Sequence, residues 1–164
     1  MEKRNSAGGT FLGFAFRVTL VHIVTYWVAG GLWYALVTHR YYAGPEALPG
    51  LRDPNSTYVM QWILPAQFLR GILYAIAFYP LRTALLGMGR WGGAVIASLL
   101  LLVGAVAGIS GIIEAAVFST FAHVNVFVAT LPELVAQTLA FGYLVLWWER
   151  RRGETTARPS SRTA

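Results

Sequence analysis

The chain contains no cysteine. Disulfides, thiolate metal sites, iron–sulfur clusters and cysteine redox chemistry are therefore excluded. Charge is scarce too. Of 164 residues, 12% are Asp, Glu, Lys or Arg, against about 25% in a soluble domain. Carboxylates are the scarcer sign, with 7 Asp and Glu against 13 Lys and Arg. Lysine is nearly missing: twelve of those 13 cations are Arg. No phosphate-binding loop, Ser-His-Asp set or His-Glu-x-x-His pattern occurs, so the common nucleotide, hydrolase and zinc-protease classes have no motif to stand on. What fills the space is apolar: 56% of the chain, gathered into long runs. Low charge with long apolar runs marks an integral membrane protein.

Four hydrophobic segments are expected, at about 11–38, 58–80, 91–116 and 131–148. In the first, Arg17 and Arg40 bracket an apolar stretch that rises roughly 33 Å as a helix, enough for a bilayer core. A signal peptide is the rival reading, because Lys3 and Arg4 give a basic start. Its apolar region would be only about 7–15 residues long, so a retained helix fits better. Pro80 marks the exit of the second helix, and Pro65 offers a start for it after a short interfacial piece. The tail 149–164 reads as a disordered basic segment. The whole of 1–148 reads as a single transmembrane domain.

The positive-inside rule sets the orientation. Lys3, Arg4 and Arg17, then Arg82 and Arg90, then the arginines of the tail share one side of a four-helix arrangement. The opposite side has Arg40 and Arg52. The expectation is an all-α, four-helix integral membrane bundle with both termini cytoplasmic. The net charge of +6 belongs to segment ends, so the bilayer is the expected partner and nucleic acid is not. The arginine bias, with many Ala and Gly, suggests a bacterial inner-membrane protein.

Between apolar helices in lipid, small residues allow close packing. Gly104, Gly108 and Gly111 recur on one face of the third helix, and Ala29, Gly30 and Gly31 do similar work in the first. They read as packing within the chain, with a homodimer seam as the alternative. Ionisable groups at membrane depth are costly and raise functional hypotheses. Arg70, Glu114 and Glu133 fall in the outer third of the bundle, with Gln67 and Gln137 one turn from two of them and His123 in an apolar outer loop. Arg70 needs a carboxylate, and Glu114 is the first choice. The plainer readings are a snorkelling Arg70 and a Thr130-x-x-Glu133 capping box. His22 shares a face with Thr19 and Tyr26 and reads as a hydrogen-bonded packing residue. A haem would need a second axial ligand at the same depth, and His39 and His123 fall on the other side. No cofactor or metal is expected.

Leu64-Pro-Ala-Gln-Phe-Leu-Arg-Gly-Ile-Leu-Tyr74, Tyr79-Pro-Leu-Arg82, Gly111-Ile-Ile-Glu114 and Leu131-Pro-Glu-Leu-Val-Ala-Gln137 together resemble a group of uncharacterised small bacterial membrane proteins. The resemblance covers more than half of the chain. It implies a four-helix membrane fold and brings no activity or cofactor. Without catalytic motifs, a non-enzymatic membrane subunit or accessory protein is the leading expectation, in a homo-oligomer or larger membrane complex. An oligomeric transporter or channel, with an outer Arg/Glu polar site, is the first alternative. A membrane enzyme acting on a lipid or quinone-like substrate is the second.

Overall fold

The computed structural model describes residues 10–42, 47, 55–102 and 121–156, without the side chains of 121–128 and 153–156. Among them every regular element is a helix. Helix α1 spans Phe11–Tyr42 and contains two π-helical stretches, Tyr26–Gly30 and Tyr34–Thr38. Helix α2 spans Thr57–Phe78, α3 Arg82–Gly87, α4 Trp91–Leu100 and α5 Phe121–Thr156. Among the described residues three stretches are long and apolar enough to cross a membrane: Phe11–Tyr42, Thr57–Phe78 and Ala129–Arg152. Helix α4 is apolar but shorter, and the rest of the expected third segment, with Gly104, Gly108, Gly111 and Glu114, lies outside the described residues.

Local chemistry explains where the helices begin. Thr10 caps α1 by accepting a hydrogen bond from the Gly13 N–H. Ser56 does the same for α2 through the Val59 N–H. Each cap satisfies one of the N–H groups that a helix start leaves without a partner. Helix α2 ends at Phe78, just before Tyr79-Pro80. Pro65 sits inside α2 rather than at its start; the start belongs to the Ser56 cap. Gly89 takes a left-handed backbone (φ 56°), the one positive-φ residue among those described, and turns the chain from α3 into α4.

The last helix departs most from the expected boundaries. It was expected at 131–148, and it extends a further turn or more in both directions. Thr130 is therefore an interior residue and not an N-cap, and Glu133 is not the third residue of a capping box. Pro132 is carried within the helix, which membrane helices tolerate where neighbours re-satisfy the freed backbone. The part of the tail expected to be disordered is helical to Thr156. Its first residue, Glu149, is 2% exposed. A buried ion pair, described below, holds it. The connection 82–90, between the second and third apolar segments, is mostly occupied by α3.

The helices pack α1 on α2, α4 on α5, and α1 on α5, with α3 against α4 and α5. On α1 the buried side chains Phe14, Val18, Val21 and Thr25 recur every three or four residues, the spacing of one helix face. Phe14, Val18 and Val21 join Ala75 and Phe78 of α2, Ile96 of α4 and Phe141 and Val145 of α5 in one core. Large apolar side chains such as Phe16, Leu69, Leu73 and Trp147 stay exposed around the outside, as a lipid-facing surface requires.

Glycines set the closest crossings. A Cβ added at Gly71 would lie 2.7 Å from the Thr19 Cα, so α1 and α2 meet there backbone to backbone. One added at Gly142 would strike the Gly93 carbonyl, and one at Gly93 would come within 2.9 Å of the Tyr143 ring. The α4–α5 crossing is built from that glycine pair. Gly30 and Gly31 play no comparable part. Among the described residues, Gly30 has only the Glu133 carboxylate close by, and none lies within 4 Å at Gly31.

Candidate functional site

Three polar arrangements sit inside or beside this core, and the first was not anticipated. Arg17 Nε donates to Glu149 Oε1, and Arg82 Nη2 lies 2.6 Å from Glu149 Oε2. The three come from the start of α1, the start of α3 and the far part of α5. Arg17 is 5% exposed and Glu149 2%, so this is a buried Arg-Glu-Arg triad. Its Arg82 guanidinium also lies 5.8 Å from the centre of the Phe14 ring. Among the described side chains, two cations share this one carboxylate. Arg17 Nη2 and Arg82 Nε find no hydrogen-bond partner among the described residues. Such a cluster cannot lose its anion cheaply, because a stranded buried charge costs about 3–5 kcal/mol.

The second arrangement lies deeper. His22, 3% exposed, and Gln67, 5% exposed, face each other across α1 and α2, with His22 Nε2 donating to Gln67 Oε1 over 3.0 Å. The imidazole is held edge-on between Tyr74 at 5.0 Å and Phe141 at 6.0 Å between ring centres. Beside it is a cleft of about 360 Å³, lined by His22, Arg70, Tyr74, Gln137, Thr138 and Phe141 among others. The Thr138 hydroxyl already donates to the Leu134 carbonyl at 2.7 Å. Arg70 is exposed. It is the cation of this cleft.

The third arrangement lies further along α1. A cleft of about 210 Å³ is lined by Tyr26, Tyr34, Thr38, Tyr42, Asn55 and Glu133, with further apolar residues. Glu133 is half-buried, and its Oε1 would be 3.1 Å from a Cβ at Gly30. The absence of a side chain at Gly30 makes room for the carboxylate. Asn55 donates to the Tyr34 hydroxyl at 3.3 Å. Trp33 Nε1 donates to the Ala129 carbonyl at 2.9 Å and ties this end of α1 to α5.

The residues expected to form one outer cluster are thus divided. Arg70 and Gln137 line one cleft, Glu133 lines another, and Gln67 is engaged by His22. Glu114 lies outside the described residues, and His123 is described only as backbone within α5. Among the described residues no three His, Cys, Asp or Glu side chains gather as a metal site would need.

The triad had a sequence signal of its own. Glu149 is the one carboxylate between Trp148 and three consecutive arginines. Arg17, Arg82 and Glu149 all fall at the same end of the expected helices. The same arginines also fit the positive-inside pattern, which masks the pairing.

Compared with family models, with curated proteins and with solved structures, the chain matches none.

Proposed function

We propose that this chain is a four-helix, multi-pass protein of a bacterial inner membrane, with both termini cytoplasmic. We assign it the role of a non-enzymatic membrane subunit or accessory protein. The observation that carries this reading is that its buried charged, amide and imidazole side chains pair with one another. Glu149 takes Arg17 and Arg82, and Gln67 takes His22. A catalytic centre needs reactive groups directed at a substrate, and these are directed at their neighbours. They add specificity to helix packing in a medium where apolar contacts alone give little. The orientation draws support from the triad: it gathers Arg17, Arg82 and Glu149 at one end, where Arg90, Arg150 and Arg151 also lie, as the positive-inside rule requires.

A second reading has one observation in its favour. The cleft of about 360 Å³ places a cation, Arg70, beside an amide and an imidazole. That chemistry suits an anionic solute, so an oligomeric transporter would use it. The test is native mass spectrometry of the protein taken from its own membrane in nanodiscs. A stoichiometric co-purifying protein is the expected result. A bare homo-oligomer would overturn the accessory role. Anion flux in liposomes that disappears on Arg70→Leu would then establish the transporter.

A further inference from the structure

We propose that the groove between α4 and α5, at the arginine end of the bundle, binds an anionic phospholipid by its headgroup and one acyl chain. The inference goes beyond the accessory role and needs only the placement of these helices in a membrane. The groove encloses about 600 Å³ and is lined by Arg90, Arg150 and Arg151 with Tyr143, Leu144 and Trp147.

Its two halves differ in chemistry. The rim is cationic. Arg90 stands at the start of α4 with its guanidinium 5.5 Å from the Trp91 ring centre. Arg150 is half-buried and donates through Nη2 to the Gly89 carbonyl, which anchors it beside the α3–α4 turn. Arg151 stacks over Trp147 at 4.3 Å. Among the described residues no carboxylate lines this groove. Glu149, the described acid nearest in sequence, is buried against Arg17 and Arg82. The floor is apolar and is formed by Tyr143, Leu144 and Trp147, which stay part-exposed on the outer face of α5. Gly93, at the close crossing with Gly142, also lines the groove.

A ligand matching both halves needs a phosphate and a hydrocarbon chain in one molecule. Planar guanidinium groups suit phosphate oxygens, with two parallel N–H···O bonds available to each. Basic pockets between membrane helices are suited to anionic headgroups, and interfacial Trp sits at headgroup level. Soluble anions would leave the floor empty, and a zwitterionic lipid would bring its own cation to a cationic rim.

The test uses the full chain in nanodiscs holding equal phosphatidylglycerol and phosphatidylcholine, with retained lipid read by native mass spectrometry. The expected result is selective retention of one phosphatidylglycerol. Removing an arginine should weaken retention about fivefold, and Arg90→Gln with Arg151→Gln roughly 30-fold. Arg40→Gln, at the other end of α1, should leave it unchanged. Thermal unfolding in zwitterionic detergent checks that the double variant is folded. If it is not, Leu144→Trp fills the floor without touching the rim and should exclude the lipid. Equal retention of the two lipids would overturn the proposal. So would equal loss in Arg40→Gln, or displacement by soluble glycerol phosphate at matching concentration, which would reduce the groove to a plain anion site.

Discussion

The two ends of α1 handle polar groups in opposite ways. Near its start, Arg17 enters a closed knot with Arg82 and Glu149, from which solvent is nearly absent. Near its end, Tyr26, Tyr34, Thr38 and Tyr42 face an open cleft with Glu133. The closed end holds ions, and the open end holds chiefly hydroxyls and one carboxylate. The difference shows what burial demands. Full charges are excluded from water only where an opposite charge is already in place. Groups that keep access to a cleft need no such partner.

The sharpest way to break that comparison is at the closed end. Glu149→Leu leaves two guanidinium groups without their anion and should cost about 3–5 kcal/mol. Unfolding in mixed micelles would read it. Replacing all three, with Arg17→Met and Arg82→Met added, should recover most of that loss, because no charge is then stranded. A triple variant as unstable as Glu149→Leu would show that the knot acts through more than its charge balance.

Next comes the packing that holds α4 and α5 together beside the knot. Gly142→Ala should cost about 1–3 kcal/mol, since its Cβ would meet the Gly93 carbonyl and backbone must move. The same assay applies. Between the two ends, His22→Leu and Gln67→Leu should each destabilise, with the double variant recovering roughly 0.5–1.5 kcal/mol of coupling. A coupling of zero would mean that the His22–Gln67 bond contributes nothing beyond shape. The smallest effect is expected at the open end. Gly31→Ala would meet none of the described residues within 4 Å and should stabilise by about 0.5–1 kcal/mol, through helix propensity alone. Destabilisation there would mean that the open end is packed more tightly than its clefts indicate.

Much of the architecture is legible in the sequence, for a physical reason. Apolar run length maps directly onto helix span, so the segments around Phe11–Tyr42, Thr57–Phe78 and Ala129–Arg152 declare themselves. Boundaries are less legible. Thr130-Leu-Pro-Glu133 carries every local signal of a helix start, yet α5 runs through it. Local capping preferences are about 1 kcal/mol effects, and a continuing helix can outweigh them. Side-chain partners are least legible, because they depend on how helices rotate against one another. Arg70 and Glu133 share an expected depth, but their helices turn them into different clefts. Gly71, Gly93 and Gly142 set the crossings, and no sequence spacing distinguished them from Gly31. Depth follows from counting residues; azimuth does not.

The Arg17–Glu149 contact joins residues 132 positions apart. Synthesis proceeds at about 5–20 residues per second, so Arg17 leaves the ribosome on the order of ten seconds before its carboxylate exists. Through the second half of that interval, once Arg82 is made, the nascent chain holds two cations awaiting one anion. Helix α5 therefore acts as a latch: the knot that ties the starts of α1 and α3 together closes only once Glu149 is in place.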